Sequence, residues 1–114
     1  MKIIPLKNTN EYKNSNECIA TEYTFCDNDI DVATAIINGE YPKSGYCVNT
    51  KVKEIIYVVS GKGKLVKENE EISFSAGDAI LIEKGEKYRW NANCKIVMCC
   101  SPAWTAAQHI IVEN

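Results

Sequence analysis

The chain is short of histidine: its 114 residues hold one, His109. A metal centre built on three imidazoles therefore cannot be assembled within one copy. Arginine is equally scarce, with Arg89 alone, and the formal net charge is only -2. Both features argue against a phosphate-reading surface, so no nucleic acid partner is expected. No run of like charge, internal repeat or low-complexity segment is present. No stretch approaches the roughly 20 apolar residues needed to cross a bilayer, so no membrane partner is expected. The opening MKIIPLKNTNEYKN turns polar too soon for a secretory leader, which makes the expected location cytoplasmic. None of the six cysteines (Cys18, Cys26, Cys47, Cys94, Cys99, Cys100) forms a C-x-x-C pair, which excludes zinc-ribbon and thioredoxin-like motifs. In a reducing compartment they are expected to act mainly as small buried hydrophobes. Cys99 and Cys100, being neighbours, should leave a strand on opposite faces.

What is present is a chain of short β-rich runs broken by turn residues, with an apolar fraction of 46% that suffices for one core. The alternation predicts strands over 22–27, 32–38, 46–52, 54–60, 64–67, 71–74, 79–82, 87–90 and 95–100, with a possible last strand over 110–112. Turns are expected at 27–29, 41–45, 61–63, 69–70, 77–78 and 85–86. Their spacing suits hairpins in an all-β, antiparallel barrel. Pro102 followed by TAAQH predicts a short helical turn over 105–109. A single domain, 1–114, is expected, with its core over about 32–112. The polar, Asn-rich residues 1–21 are expected as a covering arm.

Two segments carry a family resemblance: EIIYVVSGKG, from Glu54 to Gly63, and AGDAILIEKGEKYRWN, from Ala76 to Asn91. The first matches the end of the cupin motif G-x5-H-x-H-x3,4-E-x6-G, with Glu54 followed by six residues and then Gly61. Its four-residue gap puts Cys47 and Asn49 where the two histidines belong. The three-residue gap would put Val48 and Thr50 there, but Val48 suits packing better. The opening glycine is out of register, with Gly39 and Gly45 flanking its place. The second segment follows G-x5-P-x-G-x2-H-x3-N. Gly77 and Gly85 are correctly spaced, Glu83 stands for the proline, Tyr88 for the histidine and Ala92 for the asparagine. Over roughly 32–112 the chain resembles the small single-domain "type 2" cupins, compared with mannose-6-phosphate isomerases, with the metal-binding histidines replaced. The resemblance implies a double-stranded β-helix, jelly-roll-like barrel.

The family's ligand positions would then hold Cys47, Asn49, Glu54 and Tyr88, and only Glu54 keeps its residue type. That mixture is a poor donor set for zinc, iron or manganese, so no metal and no cofactor is expected. His109, near the C-terminus, is expected to face solvent. If Tyr88 faces inward, Trp90 does too, and the cavity would offer Cys47, Asn49, Glu54, Tyr88 and Trp90 to a small polar or sugar-like ligand. Alternatively, Tyr88 and Trp90 simply fill the barrel. A carboxylate inside a barrel is costly unless paired or protonated, so Glu54 should titrate high.

Two function classes follow: a small-molecule binding module and, as the resemblance to the metal-free sugar epimerases of that superfamily implies, a metal-free isomerase or epimerase with Glu54 as base and Tyr88 as acid. A metal enzyme with non-histidine ligands and a redox role for Cys47 are further options. The run from Lys95 to Cys100 is apolar on both faces, so its outer face predicts a homodimer.

Overall fold

The computed structural model describes residues 1–113. Nine strands carry it: β1 Asn10–Ser15, β2 Cys18–Tyr23, β3 Asp31–Tyr41, β4 Tyr46–Asn49, β5 Lys53–Val66, β6 Glu71–Ser75, β7 Ala79–Ile82, β8 Lys87–Ser101 and β9 His109–Val112. Among the described residues two short 3-10 turns accompany them, Leu6–Asn8 and Ala106–Gln108. The second falls inside the helical turn expected over 105–109. All pairings are antiparallel, and the sheet curls into a half-barrel. Among the described residues no helix is long and apolar enough to cross a membrane.

β8 is the spine. On one edge it pairs with β3 from Asp31↔Cys100 to Tyr41↔Trp90, and on the other with β5 from Lys53↔Ser101 to Val66↔Arg89. Its burial alternates along most of its length, as the period of two requires when one sheet face is packed. Trp90, Ala92, Cys94, Ile96 and Cys100 point inward with Ile56 and Val58 of β5 and Ala35 and Ile37 of β3. Ile37, Ile56 and Ile96 are almost completely buried, each worth about 1.5–3 kcal/mol relative to exposure.

Several sequence expectations need correction. The glycines at 61 and 63 do not turn the chain; β5 runs straight through them. A register shift between Val58 and Ser60 bulges the strand, and Gly61 takes a φ of +84°. A Cβ at Gly61 would strike the Asn93 carbonyl, and one at Gly63 would strike Ala92. Close approach to β8 is therefore what requires glycine here. β8 likewise continues unbroken through 91–94.

Thr24 to Asp27 do not extend β2, because the last β2–β3 pair is Tyr23↔Val32. Beyond it Cys26 sits at a φ of +59°, and Asp27 Oδ1 accepts from the backbone N–H groups of Asp29 and Ile30. The expected strand over 46–52 stops at Asn49, as β4. Residues 10–23 form the β1–β2 hairpin, paired to β3, so the core reaches beyond 32–112 to include Cys18 and Ala20. The physical reason is the alternation Cys18-Ile19-Ala20, which turns Cys18 and Ala20 to the buried face beside their cross-strand partners Ile37 and Ala35.

Candidate functional site

The site grows out of the pairing of β4 with β9. That register sets Asn49 directly across from His109, so their side chains meet. Just upstream, the 3-10 turn presents Gln108, which is buried. Gln108 ties the β4–β5 turn together: its carbonyl accepts from Thr50 N and Oγ1, and its side-chain Oε1 accepts from Lys51 N and Val52 N. Those two backbone donors fix the amide's orientation, because only an oxygen can face them. Gln108 Nε2 must then donate, and it does so to Asn49 Oδ1 at 3.1 Å.

Asn49 is oriented in turn. Its Oδ1 also receives His109 Nδ1 at 2.9 Å, and its Nδ2 faces Glu54 Oε1 and Tyr88 Oη, both at 3.4 Å. Since Asn49 Oδ1 can only accept, the proton of neutral His109 sits on Nδ1. Its Nε2 is left as an acceptor, and the Tyr41 hydroxyl donates to it across 3.0 Å. Cys100 Sγ contacts Glu54 Oε2 at 3.8 Å. Among the described residues no buried side-chain nitrogen or oxygen lacks a partner.

Burial sets the protonation of this floor. It raises Glu54 from an ordinary 4.5 to about 7, against the lowering effect of its bonds to Asn49 and Cys100; Asp31 adds a further upward push. Burial lifts the Tyr88 phenol well above its ordinary 10, helped by the charge on Glu54. The same loss of hydration lowers His109 below 6.5, so the imidazole is neutral near pH 7.

Above the floor lies a cavity of about 460 Å³, a size usual for small-molecule sites. Its walls include Tyr12, Tyr41, Trp90, Met98 and Trp104. Trp90 is held edge-on by Phe74 and Tyr88, and Trp104 by Tyr12. Four carboxylate residues line the cavity, Glu22, Asp27, Asp31 and Glu54, and among the described lining residues there is no lysine or arginine. Arg89 is engaged elsewhere, donating to the Gly45 carbonyl and lying over the Tyr46 ring.

The structure brings Asn49, Glu54, Tyr88 and Trp90 together around this cavity. Tyr88 and Trp90 also belong to the packed core, so each both fills and lines the barrel. Cys47 is different: it is fully buried and outside the cavity lining. Burial pushes its thiol up to about 12, against a lowering influence of the Tyr41 hydroxyl, and Tyr41 with the cross-strand Tyr88 lines the cavity in its place. That environment also denies Cys47 the exposed thiolate a redox role needs.

The larger correction concerns His109. It is partly buried and lines the cavity between Asn49, Tyr41 and Trp104. The sequence reading also passed over Gln108, Tyr41 and Cys100. The apolar run from 110 to 112 signals a last strand, but only its pairing with β4 turns His109 inward.

The family's usual metal does not fit these residues. Coordination needs deprotonated thiol or phenol, and burial holds the Cys47 and Tyr88 protons in place. The Asn49 carboxamide is committed on both sides. Among the described residues no three His, Cys, Asp or Glu side chains gather in a metal-holding group.

The fold is similar to that of Streptomyces Pac13, a nucleoside dehydratase, at 18% identity and a TM-score of 0.87, covering 99% of this chain and 92% of that one. The polyketide cyclase RemF from Streptomyces resistomycificus matches at 14% identity and a TM-score of 0.70, covering 89% of this chain and 79% of that one. The mannose 6-phosphate isomerase from Bacillus subtilis matches at 15% and 0.66, covering 80% of this chain and 27% of that longer one. No curated protein matches the chain. The model of the EutQ-like cupin domain matches residues 34–97, more than half of the 114, and the chain therefore belongs to the EutQ-like cupin family.

Proposed function

We propose that the barrel cavity binds a small, polar, uncharged or cationic molecule of nucleoside or sugar type, without a metal. The observation that carries this is the charge of the lining: carboxylates without a lysine or arginine. A phosphate or carboxylate group would enter against like charge and find no cation to pair with. A neutral polyol or nucleoside meets aromatic walls for its ring and amide, carboxyl and hydroxyl groups for its polar edge. The uridine held by Pac13 structures of the same fold is a ligand of this kind.

Uridine and uridine 5′-phosphate make the test, followed by calorimetry and thermal shift. Uridine should bind and raise the melting temperature, and its phosphate should bind at least 10-fold more weakly. Equal or tighter binding of the phosphate would refute the charge argument.

The protein is also proposed to work as a homodimer. Ile55 and Tyr57 of β5, Leu81 of β7 and Ile36 of β3 are each about half exposed on the outer sheet face. Ile55 sits between Leu81 and Cys99 in register, so the patch is continuous across strands. Such a face is what a second copy covers. All six cysteines are free thiols, which suits a cytoplasmic, reducing compartment.

The metal-free isomerase or epimerase reading gains from one observation: the cavity holds a neutral histidine with an accepting nitrogen.

A further inference from the structure

The Gln108–Asn49 relay does more than fill the floor of the barrel. Each of its bonds has a fixed direction, beginning at the backbone N–H groups of Lys51 and Val52 and ending at His109 Nδ1. The relay therefore selects one imidazole tautomer and makes Nε2 the accepting nitrogen inside the cavity, where the Tyr41 hydroxyl meets it at rest. On the other side of the same carboxamide stands Glu54, whose Oε1 receives Asn49 Nδ2. One asparagine thus holds an imidazole and a carboxyl group at its two ends, and both line one cavity.

The geometry points to an acid–base pair in which His109 is the proton acceptor and Glu54 the proton donor, acting on a neutral hydroxy-carbonyl substrate. This rests on the reading of the cavity as a site for neutral polar molecules. His109 Nε2 takes the proton from the carbon beside the carbonyl. The C–H electron pair becomes the carbon–carbon double bond of an enol. The carbonyl oxygen takes the Glu54 proton as its π pair moves onto it, leaving a carboxylate. Return of a proton from His109 to carbon, and of the hydroxyl proton to Glu54, restores both groups. Isomerisation or epimerisation follows with no outside oxidant or reductant.

The protonation states suit these roles. Desolvation keeps the imidazole neutral and the carboxyl half-protonated near pH 7, where both a base and an acid are available. Tyr41 blocks Nε2 only in the resting state. Its hydroxyl has a second acceptor within 3.4 Å, Asn14 Oδ1, to which it turns when substrate claims the imidazole. Tyr88 is less suited to the acid role expected from the sequence, because burial holds its proton far more tightly than that of Glu54.

The single histidine makes the test clean. In 15N-histidine-labelled protein at pH 7, the ring should be neutral and protonated on Nδ1. An Nε2-protonated or charged ring would overturn the assignment. Asn49→Leu should lose the Nδ1 preference while the protein stays folded.

Incubation in D2O with dihydroxyacetone, glyceraldehyde and a neutral ketopentose should show deuterium entering the carbon beside the carbonyl. The exchange should fall by about 100-fold or more in His109→Gln and in Glu54→Gln. Exchange no faster than in buffer for all three sugars, or unchanged exchange in His109→Gln, would overturn the pair. Uridine binding separates the two levels: if it persists while exchange is absent, the cavity assignment survives and the acid–base pair falls.

Discussion

Replacing Glu54 with glutamine should change the pH dependence of stability in a calculable way. The carboxyl titrates near an ordinary 4.5 when unfolded and near 7 when folded, chiefly because burial strips its water. Its folded value is raised, so it favours the folded state fully below the unfolded value. That contribution is lost as pH rises from 4.5 towards 7. Linkage makes the ionised group cost about 3 kcal/mol at pH 8 and under about 1 kcal/mol at pH 5. Glutamine keeps the acceptor for Asn49 and cannot ionise. The advantage of Glu54→Gln over the parent should therefore grow by about 2.5 kcal/mol between pH 5 and pH 8, or roughly 10 °C in melting temperature for a domain of this size.

The groups facing Glu54 are Asn49 and Cys47 on β4, Tyr88 and Cys100 on β8, Asp31 on β3 and Cys18 on β2. Among these, Asp31 is the other carboxyl group, and it adds to the upward push on Glu54. His109 pulls the opposite way, since its lowered value weakens the fold as pH drops below 6.5, but it is present in both proteins and cancels from the difference. Urea unfolding of the two proteins at pH 5, 6, 7 and 8 measures the gap directly. A gap constant across that range would refute the buried, proton-holding Glu54.

Two further predictions concern packing and assembly. Ile96→Ala removes a fully buried side chain from the middle of β8 and should cost about 2–5 kcal/mol in urea unfolding; a loss below about 1 kcal/mol would mean the barrel collapses around the gap. Tyr57→Lys puts a charge in the exposed apolar face and should convert a dimer to a monomer by light scattering at micromolar concentration. An unchanged dimer would place the interface elsewhere, and a monomeric parent protein would remove it.

Much of the barrel was legible because its signals are local. Alternation in EIIYV and in KIVMCC gives the strand and its inward face, and Glu54, Ile56 and Val58 share that face as the period demands. What was not legible depends on partners distant in sequence. Gly61 and Gly63 look like a turn, and only β8 lying against them shows that close approach is the reason for glycine. Cys47 and Asn49 share a strand parity, yet Tyr41 walls off the first and leaves the second in the cavity. His109 stands 60 residues from Asn49 and carries no local mark of its role. Its position is set by the β4–β9 register and by Gln108 bridging to the β4–β5 turn.

In the proposed metal-free reading, the barrel floor is complete as a hydrogen-bonded network of amide, carboxyl and imidazole whose donors suit no metal. Elemental analysis of protein produced in medium supplemented with iron, manganese, nickel and zinc tests this most directly. The predicted result is far less than one metal per chain, with a melting temperature unmoved by chelator. One equivalent of a transition metal, lost together with stability on chelation, would contradict it.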